Sequence, residues 1–180
     1  MGRTTRAARA RPVARPVGHR RERAREDGPV QIQVDDPRRP DVLALLEEHL
    51  ADMYATSPPE SVHALDPDAL AVPAITFWTA RDGDLLLGCV ALKTLSGDHA
   101  EIKSMRTATA ARRRGVAGVL LDHVLTEARG RGHARISLET GAEDYFVAAR
   151  TLYATRGFSE CGPFEGYAPD PNSIFMTLAL

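Results

Sequence analysis

The stretch from Ala100 to Thr140 constrains the fold most, because it sets a strand, an Arg/Gly turn, an amphipathic helix and a second strand in unbroken series. Ala100 to Thr107 reads as a strand. Leu120, Leu121, Val124, Leu125 and Ala128 then recur at helical spacing, forming one apolar stripe on a helix that opens near Gly115 and stops at Gly130 and Gly132. Arg135 to Thr140 is the strand after it. These are the ingredients of a βαβ unit with a parallel strand pair. With 180 residues, 43% of them hydrophobic, the chain can surround such a unit with one sizeable core, but it is too short for two ordinary domains.

The flanking segments add mostly antiparallel sheet. Val30 to Val34 alternates apolar and polar residues as a half-buried strand does. From Asp41, the residues Val42, Leu45, Leu46, Leu50, Met53 and Tyr54 follow helical periodicity until Pro58 and Pro59. Glu60 to Pro73 is irregular, with a short helix expected around SVHAL and interruptions at Pro67 and Pro73. Ile75 to Ala80 and Leu85 to Leu92 are strands joined through Asp82-Gly83, a hairpin signal, and with Ala100 to Thr107 they form a meander. Tyr145 to Arg156 reads as a second amphipathic helix stopped by Gly157, and strands follow at Phe158 and at Ser173 to Leu178. The expected class is therefore α/β (α+β): a mixed, mostly antiparallel sheet of six to seven strands with one parallel pair and flanking helices.

Charge divides the chain. Residues 1–28 carry nine arginines against three acidic residues, leaving 14 basic and 21 acidic residues in the remainder. With almost no large apolar side chain, residues 1–28 cannot offset the entropy of ordering and are expected to be a disordered Arg-rich tail, with 29–180 as the folded domain. Such a tail is usually a solvated extension; nucleic acid is an expected partner only through it. No apolar run approaches the roughly 18 residues of a spanning helix, and no apolar h-region marks the N-terminus. Cys89 and Cys161 lack metal or disulfide-framework spacing, so no metal is implied and a reducing cytoplasm is expected.

The turn before the long helix carries chemistry. RRRGVAG places backbone N–H groups where they have no intrahelical partner and where the helix dipole is positive, which suits an anion. Gly115 and Gly118 permit close approach, and three arginines supply forked donors. A Walker A loop is excluded because no Lys-Ser/Thr pair follows, and the spacing is not GxGxxG.

The run Arg112-Arg113-Arg114-Gly115-Val116-Ala117 resembles the (Gln/Arg)-x-x-Gly-x-(Gly/Ala) signature of the GCN5-related N-acetyltransferase (GNAT) superfamily. Ala149 together with LYATRGF, Leu152 to Phe158, resembles that family's Ala-x-x-Leu-Tyr-x-x-x-Gly-Phe motif. The order of elements from Val30 onward is similar too. The resemblance implies acetyl-CoA as co-substrate, with its pyrophosphate on Arg112, Arg113, Arg114, Gly115, Val116, Ala117 and Gly118. It implies a parallel pair that splays, a main-chain donor at Met105 for the thioester carbonyl, and pantetheine pairing at Thr107. Tyr153 matches the tyrosine that protonates the departing thiolate, and a phenol with its usual pKa of about 10 is protonated at neutral pH. Glu101, 11 residues before Arg112, matches the general base of one branch, with Lys103 on the same strand face either supporting its ionised form or simply pairing with it. Phe146 departs from the pattern, standing where the family often has an asparagine that contacts pantetheine.

The implied activity is acetyl transfer to a primary amine of a small molecule or amino acid. A protein acceptor and a non-catalytic acyl-CoA-binding module are the alternatives. His63 and Tyr167 lie in the segments expected to border the acceptor, whereas His123 and His133 are not expected ligands. Relatives of this family are often dimers, so a homodimer is compatible with the resemblance.

Overall fold

The computed structural model describes residues 1–2, 29–64 and 66–180; the segment read as an Arg-rich tail lies, from residue 3 onward, outside the described residues. The chain runs β1 (Gln31–Val34), α1 (Pro40–Thr56), a 3-10 turn (Pro59–Ser61), α2 (Pro67–Leu70), β2 (Ile75–Asp82), β3 (Leu85–Thr94) and β4 (His99–Thr107). A second 3-10 turn (Thr109–Ala111), α3 (Val116–Gly130), β5 (Arg135–Gly141), a third 3-10 turn (Asp144–Phe146), α4 (Val147–Thr155), β6 (Ser159–Cys161) and β7 (Ser173–Ala179) complete it. Two expectations change. No helix forms over Val62 to Ala64, and Pro67 does not interrupt a helix but starts one: its missing N–H costs nothing at the first position, and Asp66 caps the turn by accepting from the Ala69 N–H. The second amphipathic helix begins at Val147, after the 3-10 turn, rather than at Tyr145.

Seven strands form one sheet in the order β1-β2-β3-β4-β5-β7-β6, antiparallel throughout except for β4 and β5. The α3 crossover makes that pair parallel. Two apolar clusters cover the sheet's faces. Leu120, Leu121, Val124 and Leu125 of α3 pack with Val90, Leu92, Ile102, Ile136, Leu138 and Tyr153. Val42, Leu45 and Leu46 of α1 pack with Leu70, Phe77 and Ala91 on the other side. Each fully buried aliphatic side chain contributes about 1.5–3 kcal/mol, so the helical stripes fix which way both helices face.

Candidate active site

The parallel pairing of β4 and β5 runs from His99↔Arg135 to Ile102↔Leu138 and extends no further, although both strands continue. Opposite β3 the register slips: Ala91 faces Lys103 and Cys89 faces Arg106, so Ser104 and Met105 share one partner position. This is a bulge. Ser104 takes a positive φ of 49°, uncommon for a residue with a side chain, and the Cys89 thiol donates to its carbonyl. The bulge turns β4 away from β5 where the pairing ends, and a cleft opens between them.

The cleft has two connected chambers. One, of about 100 Å³, is bordered by Lys103, Ser104, Met105, Glu139, Gly141 and Tyr153, with His63 at its edge. The other, of about 320 Å³, is bordered by Met105, Thr107, Arg112, Ala117, Leu152 and Tyr153. Tyr153 and Met105 stand between them. The Tyr153 hydroxyl donates to the Met105 sulfur at 3.6 Å, and the side chain is 7% exposed. Burial, reinforced by the charge of Glu139, pushes the phenol's pKa up, so it keeps its proton at neutral pH.

Arg112 and Ala117 carry the cleft to the start of α3. Gly115 caps this helix with φ 79°, a conformation strained for other residues, and no side chain caps the helix. The N–H groups of Val116, Ala117 and Gly118 therefore occupy the orphan first turn. Arg112, Arg113 and Arg114 are exposed, with Arg112 3.5 Å from Asp52 and Arg114 3.8 Å from Asp82. A Cβ on Gly118 would lie 2.9 Å from the Arg156 guanidinium, which pairs with Asp122. Arg156 thus adds a cation beside this turn that the sequence motif did not reveal.

Glu101 and Glu139 differ in placement. Glu101 is 2% exposed and accepts from the Tyr167 hydroxyl at 2.7 Å; Lys103 lies 3.4 Å away and donates to the same hydroxyl at 2.6 Å. Glu101 does not border the cleft, whereas its neighbour Lys103 does. Glu139, one residue past the last parallel pair, does border it. Burial raises its pKa against the opposing hydrogen bond from Ser173 and the charge of Lys103, so this carboxylate accepts a proton more readily than an exposed one. Sequence reasoning missed Glu139 because only the splay exposes it.

His49 was also missed, although its position four after Leu45 and three after Leu46 put it on the apolar side of α1. It borders both chambers. Burial and the nearby Arg106 lower its pKa to about 4, so the imidazole is neutral near pH 7. His123 packs edge-on against Trp78 at 5.3 Å, and His133 is buried in the α3 exit turn.

A second network fixes the cleft's outer wall. Arg106 of β4 donates to Glu48 at 2.8 Å and to Asp52, both on α1, and to Tyr145 at 3.0 Å, while Tyr145 donates to Asp52 at 2.7 Å. One buried guanidinium thereby joins β4, α1 and the turn before α4.

Among the described residues the sheet has a single parallel pair parted by a bulge, next to a helix start whose orphan N–H groups suit an anionic ligand. The profile of the acetyltransferase (GNAT) family matches residues 42–158, and the chain belongs to that family. Among its relatives, the uncharacterized N-acetyltransferase YsnE of Bacillus subtilis is 50% identical over 151 residues, covering 84% of this chain and all of the relative. The IAA acetyltransferase of Azospirillum brasilense is 38% identical, covering 82% of this chain and 95% of that protein. A GNAT acetyltransferase from Elizabethkingia anophelis, solved with acetyl-CoA bound, shares the fold with a TM-score of 0.62 at 18% identity, covering 84% of this chain and 98% of that one.

Among the described residues no helix is long and apolar enough to cross a membrane, and no cluster of His, Cys, Asp or Glu could hold a metal ion.

Proposed function

We propose that this chain transfers the acetyl group of acetyl-CoA directly to an amine. The observation that carries the reading is the cleft itself, in which a protonated phenol and a proton-accepting carboxylate border the same chamber where β4 and β5 part. The diphosphate sits on the N–H groups of Val116, Ala117 and Gly118, with Arg112, Arg113, Arg114 and Arg156 offsetting its charge. Pantetheine follows β4 past Thr107, and the Met105 N–H holds the thioester carbonyl.

The amine nitrogen attacks the carbonyl carbon, and the oxyanion that develops is stabilised at Met105. Collapse breaks the C–S bond, the thiolate takes the Tyr153 proton, and the nitrogen's surplus proton passes to Glu139. Glu139 replaces Glu101 as our candidate base because it borders the reacting chamber. Glu101 instead holds Lys103 and Tyr167 in place.

The reading is tested in two stages. Acetyl-CoA at 100 times its dissociation constant stabilises the native state by about 2.7 kcal/mol, which a thermal-shift titration detects; no shift overturns the proposal. Amine-dependent release of CoA thiol then reports turnover. Tyr153→Phe lowers kcat by roughly 10- to 100-fold with acetyl-CoA affinity nearly retained. Unchanged kcat removes its role as acid.

A further inference from the structure

A third cavity, of about 360 Å³, lies between α1 and the segment that leads into α2. It shares His49, Ala64 and Ser104 with the smaller cleft chamber, so its inner end adjoins the space that Glu139 and Tyr153 border. Its walls are mainly apolar: Leu43, Leu46, Leu50, Tyr54, Val62 and Pro67. Among the described residues, Glu47 and Asp66 are its charged lining residues and no lysine or arginine borders it. The volume is at the lower end of small-molecule sites.

We propose that this cavity holds the body of the acceptor, and that the acceptor is an arylalkylamine or a similar amine with an apolar body and no carboxylate next to the nitrogen. The assignment rests on the acetyltransferase reading above and deepens it. The apolar body gains by leaving water for the leucine-rich wall. The arriving ammonium is drawn by Glu47 and Asp66 and, beyond His49, by Glu139; it sheds one proton to water before attack, and the nitrogen's surplus proton after attack passes to Glu139. His49 stands at the junction uncharged, so it lets a cation pass without repulsion.

An α-carboxylate meets the opposite conditions. Among the described residues, Lys103 is the only lysine or arginine bordering the smaller chamber, and its ammonium is engaged by Tyr167, by the His63 carbonyl at 3.3 Å and by Glu101. An amino acid would bring a second carboxylate beside Glu139, where Lys103 is already engaged.

The experiment measures kcat/KM by CoA-thiol release for 2-phenylethylamine, ethylamine and phenylalanine, with the full chain and saturating acetyl-CoA. The expected order places 2-phenylethylamine above ethylamine by roughly 10-fold or more and above phenylalanine by roughly 100-fold or more. Val62→Trp, which fills the cavity from an irregular segment, cuts the phenylethylamine-to-ethylamine ratio by at least roughly 5-fold, and its acetyl-CoA thermal shift reports that it is folded. Glu47→Lys narrows the gap to phenylalanine. Equal rates for ethylamine and 2-phenylethylamine, preference for phenylalanine, or a ratio that ignores Val62→Trp overturns the acceptor assignment alone. Absence of thiol release with every amine, despite an acetyl-CoA shift, overturns the transfer reading and this one with it.

Discussion

Two carboxylates on consecutive strands, Glu101 on β4 and Glu139 on β5, illustrate at the residue scale how position bears on chemistry. Glu101 lies inside the part of β4 paired with β5, against Tyr167 and Lys103; Glu139 lies one residue beyond the part of β5 paired with β4, bordering the cleft. If Glu139 takes the amine's proton, Glu139→Gln lowers kcat/KM by roughly 100-fold or more, and Glu101→Gln by clearly less. The pH profile provides the sign. Glu139 accepts a proton only when ionised, and its pKa is raised above 4.5, so activity falls with decreasing pH along a limb lying above that value. Glu139→Gln abolishes the limb; a profile that keeps it in the variant assigns the proton elsewhere. That Arg112, Ala117 and Tyr153 border the cleft was legible because their motifs are local, carried by a turn and one helix face. Glu139 and His49 were not, since their exposure depends on strands and a helix far apart in the chain.

At the scale of elements, the site is made by two interruptions of regular structure, the Ser104–Met105 bulge and the Gly115 turn. Secondary structure was largely readable from period and punctuation, including the parallel pair implied by the α3 crossover. The bulge was invisible, because it is a mismatch between two strands and neither strand's own pattern records it. Pro67 was misread for a related reason: proline breaks a helix or begins one depending on whether a cap precedes it, and Asp66 does. Gly115 offers the sharper test. Gly115→Val forces a β-branched residue to φ 79°, a strain of about 1–3 kcal/mol that the turn relieves by shifting. CoA affinity is expected to fall by roughly 10-fold or more while far-ultraviolet circular dichroism stays native. Unaltered affinity would separate the turn from the cofactor.

For the molecule as a whole, polar ties hold the α1 layer to the sheet edge. Arg81 of β2 pairs with Asp35 at 3.0 Å and Asp41 at 2.7 Å, joining β2 to the start of α1. Burial acts to raise the Asp35 pKa, yet hydrogen bonds from Thr79, the Asp36 N–H and Arg81 outweigh it; the Asp41 pKa is lowered chiefly by its hydrogen bond from Arg81. Carboxyl groups with lowered folded pKa values stabilise the native state above their unfolded value of 3.8, and that contribution is lost as pH falls through the folded values. Arg81→Met strands the buried Asp35 and is expected to cost about 3 kcal/mol near pH 7. The difference from the parent, measured by urea unfolding, shrinks as pH drops below 3.8. A pH-independent difference would assign the loss to packing.

Amide hydrogen exchange with and without CoA addresses the cofactor's seat most directly. A diphosphate held at the head of α3, with its arm running along the parted strand, slows exchange at Val116, Ala117 and Gly118 and at Met105 to Thr107. Saturating CoA that leaves those amides exchanging at their free rates, while protecting another surface, would contradict the placement.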